Sequence, residues 1–162
     1  MITYTLRTHI ESSLLSEFLY LGIYNSPGNP PLPRSIIELP ELAKYYRGFG
    51  APGEIAVTAE DAGVIVGIAW LRFFGAENKG YGYYDESTPE LSVSVKPEYR
   101  GRGVGGEMLA RLEQAAADNG AAAISLSVNT DNPAVRLYRR MGYKVVLYDN
   151  VDTYLMVKML GK

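Results

Sequence analysis

The sequence predicts one domain of the α/β (α+β) class, with a mixed, mostly antiparallel central sheet and helices on both faces. Three observations lead to this prediction. The chain has 162 residues, which is long enough for a single domain with its own core. Runs of period-two alternation, typical of half-buried strands, recur along the chain and are separated by runs of helical period. There is no repeat and no linker, so residues 1–162 are expected to form one domain.

The first third of the chain predicts a strand, a helix and a loop. Residues 2–7 alternate like a short strand, and residues 8–11 have the spacing of a capping box that opens a helix. That helix is expected to end at Gly22. Residues 26–34 are rich in proline and lack a packing period, which predicts a loop. A short helix is expected after Pro40.

The middle of the chain predicts a β-hairpin followed by an aromatic loop. Residues 54–60 and 64–74 have the patterns of two strands joined by a turn. Five residues of the second strand are expected to share one face: Val64, Val66, Ile68, Trp70 and Arg72. Trp70 is expected in the core or at an interface. Residues 75–89 indicate either a loop over a binding site or an aromatic surface, because they contain Tyr81, Tyr83 and Tyr84.

A strand, a glycine-rich turn and a helix form the stretch on which the functional prediction depends. Residues 91–95 alternate like a strand, which Pro97 should stop because proline cannot donate to a sheet ladder. From Val104 the apolar period is helical, and Glu107 and Arg111 lie four apart on the other side of the helix. Between strand and helix lie Arg100, Gly101, Arg102, Gly103, Gly105 and Gly106.

This arrangement predicts an anion site. Glycines let a ligand approach backbone N–H groups closely, and the first N–H groups of a helix lack internal partners and carry the positive end of its dipole. Arginine guanidinium groups match phosphate oxygens. The alternative is a tight turn with solvated arginines. The turn also satisfies the dinucleotide pattern G-x-G-x-x-G, but no acidic residue follows at the required distance, and a Walker loop is absent.

The last third predicts a strand, a short helix and a closing hairpin. Residues 122–128 have the pattern of a strand. Asn132 is expected to cap a helix with Pro133 in its first position, and Gly142 should end it. The apolar face of this helix carries Ala134, Leu137, Tyr138 and Met141. Residues 143–160 indicate a hairpin.

Two linked motifs resemble those of the GNAT N-acetyltransferase superfamily. The run from Val95 to Gly105 resembles its pyrophosphate-binding motif, Arg/Gln-x-x-Gly-x-Gly/Ala. The run from Asn132 to Tyr143 resembles its second motif, an Asn before a helix with Leu-Tyr near its end and then Gly-Phe/Tyr. The motifs cover about residues 90–146. The resemblance implies the superfamily's fold, in which two parallel central strands, here residues 90–96 and 122–128, splay apart at their C-terminal ends.

The resemblance implies acetyl-CoA as co-substrate, bound in the gap between these strands. Splayed strands leave backbone groups unpaired, which costs on the order of 1–3 kcal/mol for each buried group, and the peptide-like pantetheine arm would satisfy them. By resemblance the backbone of Val93, Ser94 and Val95 contacts the acetyl and pantetheine groups, and Asn132 contacts the pantetheine. The pyrophosphate would be bound by Arg100, Gly101, Arg102, Gly103, Val104, Gly105 and Gly106.

The resemblance also implies the catalytic residues. Tyr138 of the Leu-Tyr motif is expected to protonate the departing thiolate, and its alternative role is that of a core tyrosine. Glu90 begins the central strand and is expected to act as the base through a water molecule. The alternative is that it only flanks the strand, and Glu54 is a second, weaker candidate. Because the chain has no cysteine, direct transfer to a primary amine within a ternary complex is expected.

Composition excludes several other functions. The absence of cysteine excludes disulfides, a thiolate nucleophile and cysteine-ligated zinc, and His9 is the only histidine. We therefore expect no metal. The net charge of −2 argues against a nucleic acid partner. No apolar run has the length of a membrane span and no leader begins the chain, so we expect a cytoplasmic protein without a membrane partner.

Two interpretations of the function follow. The first is an acetyl-CoA-dependent N-acetyltransferase acting on a small-molecule or peptide amine, with the identity of the acceptor and the formation of a homodimer left open. The second is a catalytically weak acyl-CoA-binding sensor or interaction domain with the same fold.

Overall fold

A seven-stranded sheet organises the computed structural model, which describes residues 1–161. The strands are β1 (Ile2–Arg7), β2 (Ile55–Asp61), β3 (Val64–Arg72), β4 (Glu90–Val95), β5 (Ala123–Asn129), β6 (Lys144–Tyr148) and β7 (Thr153–Met159). Their order across the sheet is β1-β2-β3-β4-β5-β7-β6. Each neighbouring pair is antiparallel apart from β4 and β5, which are parallel. The predicted mixed, mostly antiparallel sheet is thus confirmed.

Helices cover both faces of the sheet, as expected. They are α1 (Ser12–Gly22), α2 (Pro40–Ala43), α3 (Val104–Asp118) and α4 (Ala134–Arg140), with short 3₁₀ turns at Arg34–Glu38 and Pro97–Tyr99. On one face, Met108 and Leu112 of α3 and Tyr138 of α4 join a core cluster with residues of the sheet. On the other face, Leu15 and Phe18 of α1 pack in a second cluster. We call the face of the sheet covered by α3 and α4 the α3 face, and the face covered by α1 the α1 face.

The expectation that five residues of β3 share one face is wrong. Ala59 pairs with Gly67 and Glu60 with Ile65, so Val66 is the extra residue of a β-bulge in β3. An extra residue reverses the alternation of side chains beyond it. Val66 therefore packs on the α3 face, whereas Trp70 packs on the α1 face. The prediction that Trp70 lies in the core is confirmed, since 1% of its surface is exposed.

The predicted capping box before α1 is also wrong. The helix begins at Ser12 after Glu11, whose backbone is extended and whose side chain makes no capping hydrogen bond. Ile10 is buried in the same cluster as Leu15, and the extended segment that places it there delays the start of the helix. The end at Gly22 is as expected. The predicted helix after Pro40 forms only one turn, Pro40–Ala43.

The central strand–turn–helix unit follows its prediction closely. Helix α3 spans Val104–Asp118, and its exposed side carries the expected pair, with Arg111 Nε 2.8 Å from a Glu107 oxygen. Gly103 has a φ of 82°, which only glycine adopts at little cost, and this turn directs the chain from β4 into the helix. Nothing in the fold contradicts one domain over residues 1–162, which stays a prediction and whose last residue lies outside the described range.

The parallel strands β4 and β5 touch only at their beginning. Within residues 1–161 their register contains a single pair, Glu90 with Ser125, and the Ser125 N–H donates to the carbonyl of Pro89 at 3.1 Å. Beyond this pair the strands diverge, so the facing edges of β4 and β5 carry unpaired backbone groups. We call this boundary the seam. It is the splayed strand pair that the resemblance implied.

Candidate active site

A cleft of about 890 Å³ opens along the seam. One wall is the stretch of β4 from Glu90 to Val93, and the opposite wall is the stretch of β5 from Leu126 to Asn129. Asn132, Tyr138, Tyr45 and the aromatic loop complete the lining. The cleft therefore forms where the two strands have no hydrogen bonds to each other, and a ligand with amide groups would find partners along both edges.

Successive residues of β4 present their side chains to opposite faces of the cleft. Ser92 pairs with Trp70 and Glu90 with Arg72, so Glu90 and Ser92 point to the α1 face. Val93 packs on the α3 face with Tyr138. A molecule held in the seam would consequently lie between Glu90 on one side and Tyr138 on the other.

The Glu90 carboxyl group is buried, with 4% of the residue exposed. The Tyr45 hydroxyl donates a hydrogen bond to its Oε2 at 2.5 Å, and the Tyr81 N–H donates to the Tyr45 oxygen at 2.7 Å. Among residues 1–161, Glu90 Oε1 has no hydrogen-bond partner, and Gly80 packs against it. Burial raises the pKa of Glu90 to about 7, although the hydrogen bond from Tyr45, the nearby backbone of Gly82 and the charge of Lys44 oppose this. The Gly82 backbone lies near the carboxyl group without hydrogen-bond geometry to Oε1. This carboxyl group can therefore exchange a proton near neutral pH.

Contacts to the sheet fix the position of Tyr45. Its carbonyl accepts a hydrogen bond from the Trp70 indole N–H at 2.9 Å, and the neighbouring Lys44 carbonyl accepts one from Arg72 at 3.0 Å. Arg72 in turn pairs with Glu54 at 3.1 Å. Both oxygens of Glu54 are occupied, since Oε1 accepts two backbone N–H groups and Oε2 accepts Arg72 and the Phe73 N–H. Glu54, the weaker candidate base, thus supports the loop and lies outside the cleft.

Tyr138 reaches the cleft from α4 on the α3 face. It is 8% exposed, and its ring packs edge-on against Tyr143 with centroids 5.9 Å apart. Its hydroxyl makes no hydrogen bond within the part of the chain that the structure describes, and burial alone raises its pKa to about 12. The phenol is therefore protonated at neutral pH and has a proton to donate.

Asn132 lies in the cleft and orders the start of α4. Its Oδ1 accepts a hydrogen bond from the Ala134 N–H at 2.9 Å, but the N-cap residue of α4 is Pro133 and not Asn132 as expected. Helical structure begins one residue later than predicted, at Ala134, so Pro133 precedes the helix. This contact occupies the side-chain oxygen, and the amide N–H₂ group makes no hydrogen bond within residues 1–161.

The glycine turn lies outside the residues that line the cleft. No side chain caps α3, and its first intrahelical bond runs from the Glu107 N–H to the Gly103 carbonyl. The N–H groups of the residues before Glu107 are thus directed out of the helix end, as an anion site requires. Arg100 Nε donates to the Val95 carbonyl at 2.9 Å, and Arg102 stacks over the Tyr99 ring at 4.8 Å.

The structure therefore divides the predicted site residues into two groups. Glu90, Val93, Asn132 and Tyr138 line the cleft together. The other predicted residues lie at the end of β4 and the start of α3: Ser94, Val95, Arg100, Gly101, Arg102, Gly103, Val104, Gly105 and Gly106. Ser94 is buried beside Gly22 of α1, and its hydroxyl has no hydrogen-bond partner within residues 1–161. Within these residues no group of three or more metal-ligating side chains comes together.

Sequence reasoning missed Tyr45 as a site residue, whereas Tyr81, Tyr83 and Tyr84 line the cleft, as expected if residues 75–89 form a loop over the binding site. The contacts of the segment Gly80–Gly82 within that loop were not predicted. The Gly82 carbonyl accepts a hydrogen bond from the Ser125 hydroxyl at 2.6 Å, and a Cβ on Gly82 would lie 2.7 Å from the carbonyl carbon of Leu126. The segment thus crosses from Glu90 to β5 in a space that admits only glycine. The signal for it was the repeated glycine around Tyr81, whereas nothing in the sequence linked Tyr45 to Glu90.

A family profile for the Acetyltransferase (GNAT) family matches residues 21–143, which is more than half of the chain. The chain belongs to the GNAT acetyltransferase family. This confirms the resemblance inferred from the two motifs. Within residues 1–161 of this GNAT protein, no helix has the length and apolar character needed to cross a membrane.

Relatives of this GNAT protein include the mycothiol acetyltransferase of Corynebacterium aurimucosum, which is 32% identical over 116 residues. The alignment covers 65% of this chain and 36% of that protein, so the chain spans about a third of that relative's length.

Two solved structures share the fold. One is yncA from Salmonella typhimurium with its cofactor acetyl-CoA, with a TM-score of 0.68, 21% identity and coverage of 99% of this chain and 95% of that one. The other is paia N-acetyltransferase from Thermoplasma acidophilum in complex with coenzyme A. It has a TM-score of 0.65 and 19% identity, and the alignment covers 97% of this chain and 99% of that one. The GNAT fold predicted from the sequence is confirmed.

Proposed function

We propose that this GNAT protein is an acetyl-CoA-dependent N-acetyltransferase that moves the acetyl group directly to a primary amine. The observation that carries the proposal is the pairing of a base and an acid across the seam. Glu90, with a pKa of about 7, faces the cleft from the α1 face, and the protonated Tyr138 faces it from the α3 face. A reaction that needs a proton removed on one side and delivered on the other fits this arrangement.

The chain's own groups fit acetyl-CoA as the co-substrate. The unpaired edges of β4 and β5 suit the two amides of a pantetheine arm, with Val93 and Asn132 at the cleft wall. The free N–H groups at the start of α3 suit the pyrophosphate. Ser94 and Val95 continue the β4 edge toward that helix end. Similar folds have been solved with acetyl-CoA and with coenzyme A.

The proposed mechanism consists of three proton transfers and the transfer of one acyl group. Glu90 accepts a proton from the ammonium form of the acceptor, directly or through water, and Tyr45 holds the carboxylate while it does so. The neutral amine then forms a bond to the carbonyl carbon of the thioester, and the carbon–sulfur bond breaks. Tyr138 donates its proton to the departing sulfur, and the acylated nitrogen then loses its second proton through solvent to the Tyr138 phenolate, which restores the phenol. The products are an N-acetylated amine and coenzyme A.

A second candidate function is an acyl-CoA-binding sensor with weak or no turnover. The buried Glu90–Tyr45 hydrogen bond favours the enzyme, because burying a carboxyl group in an apolar wall lowers stability and gives a sensor no benefit. The location of the protein, its oligomeric state and the absence of nucleic acid and membrane partners stay predictions.

Release of free coenzyme A separates the two candidates. We expect release from acetyl-CoA to accelerate when primary amines are added, and to stay at the background rate in a Glu90→Gln, Tyr138→Phe double variant. If acetyl-CoA binds but no amine in a broad panel accelerates release, the sensor interpretation is correct and the enzyme proposal is wrong.

A further inference from the structure

The part of the cleft on the α1 face is almost entirely apolar and aromatic. We call it the amine chamber and define it by Phe18, Leu19, Leu42, Tyr45, Trp70 and Tyr81. Its residues come from α1, from the segment around α2, from β3 and from the aromatic loop, so four separate parts of the chain supply the same type of wall. Glu90 and Ser92 are the polar residues of β4 that face it.

Glu90 is the single buried charge that this chamber offers. Among the described residues that line the cleft, the charged ones are Lys79, Glu90 and Asp149. Lys79 is exposed, with its ammonium group 5.3 Å from the Tyr83 ring centroid. Asp149 lies after β6, and its Oδ1 accepts three backbone N–H groups of the β6–β7 turn. Neither provides a charge within the chamber.

Two further charges, those of Lys44 and Glu41, lie behind the chamber wall and outside the cleft lining. Lys44 lowers the pKa of Glu90 against the larger effect of burial, but its ammonium group donates to the Lys79 carbonyl at 2.5 Å. Burial and the charge of Glu41 raise the pKa of Tyr81.

These charges discriminate among classes of amine. A single ammonium group is attracted by the Glu90 carboxylate and stabilised by aromatic rings. A polyamine would bring a second ammonium group against apolar walls, where an unpaired charge is costly. An amino acid would bring its own carboxylate close to Glu90, with no buried cation to compensate. Discrimination by such unfavourable contacts is a general basis of specificity.

We propose that the acceptor is a monoamine with an apolar body, an alkylamine or an arylalkylamine, and is neither a polyamine nor an amino acid. This inference rests on the proposed N-acetyltransferase function. The ammonium group lies toward Glu90 and the apolar body lies against Leu42, Trp70 and Tyr81.

A homologous series of amines tests the inference. With ethylamine, butylamine and hexylamine, kcat/KM is expected to increase about fourfold per methylene, which is the ratio that corresponds to the transfer free energy of a buried methylene. Spermidine and phenylalanine are expected to react at least about tenfold less efficiently than hexylamine. A flat series, or a polyamine or amino acid that equals hexylamine, would overturn the inference.

A pair of leucine variants connects the preference to the chamber. Leu42→Ala removes part of the wall and should lower the ratio of hexylamine to ethylamine efficiency about tenfold or more. Leu39→Ala is the matched control, because Leu39 is 46% exposed and lies outside the cleft lining. An unchanged ratio in Leu42→Ala, or an equal fall in Leu39→Ala, would contradict the placement.

A binding measurement keeps this inference separate from the proposed function. Calorimetric titration of hexylamine and spermidine into the protein saturated with coenzyme A requires no turnover. If no amine is acetylated, the proposed function fails, yet tighter binding of hexylamine still supports the amine chamber. Equal or tighter binding of spermidine overturns the chamber whether or not there is turnover.

Discussion

At the scale of the residue, Glu90 has a combination of properties that an ordinary surface carboxylate lacks. It is buried, it accepts a short hydrogen bond from Tyr45, and one of its oxygens has no partner within residues 1–161. Such a carboxyl group is destabilising as an anion, yet in the proposed mechanism it is the anion that removes a proton. Stability and activity should therefore respond to Glu90 in opposite directions.

The variant Glu90→Gln tests this opposition. Because the folded-state pKa of about 7 exceeds the ordinary value of 4.5, the contribution of Glu90 to stability is greatest below the ordinary value and is lost as the pH rises through 7. We expect the variant to be more stable than the parent at pH 8, by up to about 3 kcal/mol, and equal to it near pH 4. Amine-dependent turnover should fall about 10²–10⁴-fold. Denaturant unfolding at both pH values measures the first effect, and a parent of equal stability at pH 8 would contradict the burial argument.

Tyr45→Phe should change the pH dependence of activity. The Tyr45 hydroxyl stabilises the carboxylate, so its removal raises the pKa of Glu90, and the acidic limb of the kcat/KM profile should move to higher pH by about one to two units. Tyr46→Phe is the control, because Tyr46 is also buried but donates to the Ile37 carbonyl. A profile that does not move in Tyr45→Phe would show that this hydroxyl does not position the base.

Tyr138→Phe should lower kcat while leaving the affinity for acetyl-CoA close to that of the parent. The ring contacts are kept and only the proton donor is lost, which typically costs about 10²–10⁴-fold in rate. Tyr143→Phe is the matched control, because the Tyr143 hydroxyl bonds Glu113 at 2.9 Å and does not line the cleft. That variant should lose stability and keep kcat. If the Tyr138→Phe variant keeps the full kcat of the parent, Tyr138 is a core tyrosine and does not act as the proton donor.

At the scale of the element, the periodic segments were predictable and the contacts between non-periodic segments were not. The strand–turn–helix unit of β4 and α3 follows from its hydrophobic period and its glycines. The reversal of β3 at Val66 depends on its register with β2, which no local pattern encodes. The Tyr45–Glu90 hydrogen bond joins residues 45 positions apart, so the sequence predicted Glu90 as a candidate base and not its partner.

The segment Gly80–Gly82 provides a prediction at this scale. Gly82→Ala would force a Cβ to within 2.7 Å of the β5 backbone, so the segment must move and the Ser125–Gly82 contact must weaken. We expect a loss of stability of about 1–3 kcal/mol and weaker acetyl-CoA binding. Gly75→Ala, in the same loop, is the control. A Cβ at Gly75 would lie 3.8 Å from its nearest neighbour, an oxygen of Glu86, so this variant should be as stable as the parent. Equal unfolding midpoints for the two variants would refute the crossing contact.

At the scale of the whole molecule, the sheet consists of two ladders that meet at the seam. Strands β1–β4 form one continuous ladder, and β5, β7 and β6 form the other. A single register pair, Glu90 with Ser125, connects β4 to β5 within residues 1–161. A ligand that bonds to both edges adds connections that the polypeptide lacks, so binding and global stability should be strongly linked.

Acetyl-CoA should therefore raise the melting temperature. At a concentration of 100 times Kd the stabilisation is about 2.7 kcal/mol. Gly105→Val should reduce the shift in melting temperature, because the valine side chain would crowd the free N–H groups at the start of α3. The fold itself should accept the substitution, since a Cβ at Gly105 would meet only Leu137, at an ordinary contact distance of 3.5 Å. Thermal unfolding with and without acetyl-CoA measures both effects. If acetyl-CoA raises the melting temperature of Gly105→Val as much as that of the parent, the pyrophosphate is bound elsewhere.

The seam divides the polypeptide in sequence as well as in space. Everything up to the end of α3 at Asp118 belongs to the first ladder and its helices, and everything from Ala123 onward belongs to the second ladder and α4. A cut in the exposed turn at Asn119–Gly120 would thus leave two continuous fragments, each with its own hydrogen-bonded ladder intact. The two pieces would stay in contact through their shared core cluster and through the hydrogen bonds of Gly82 with Ser125 and of Glu113 with Tyr143. The cofactor would add a further connection along the seam, where the two ladders do not pair.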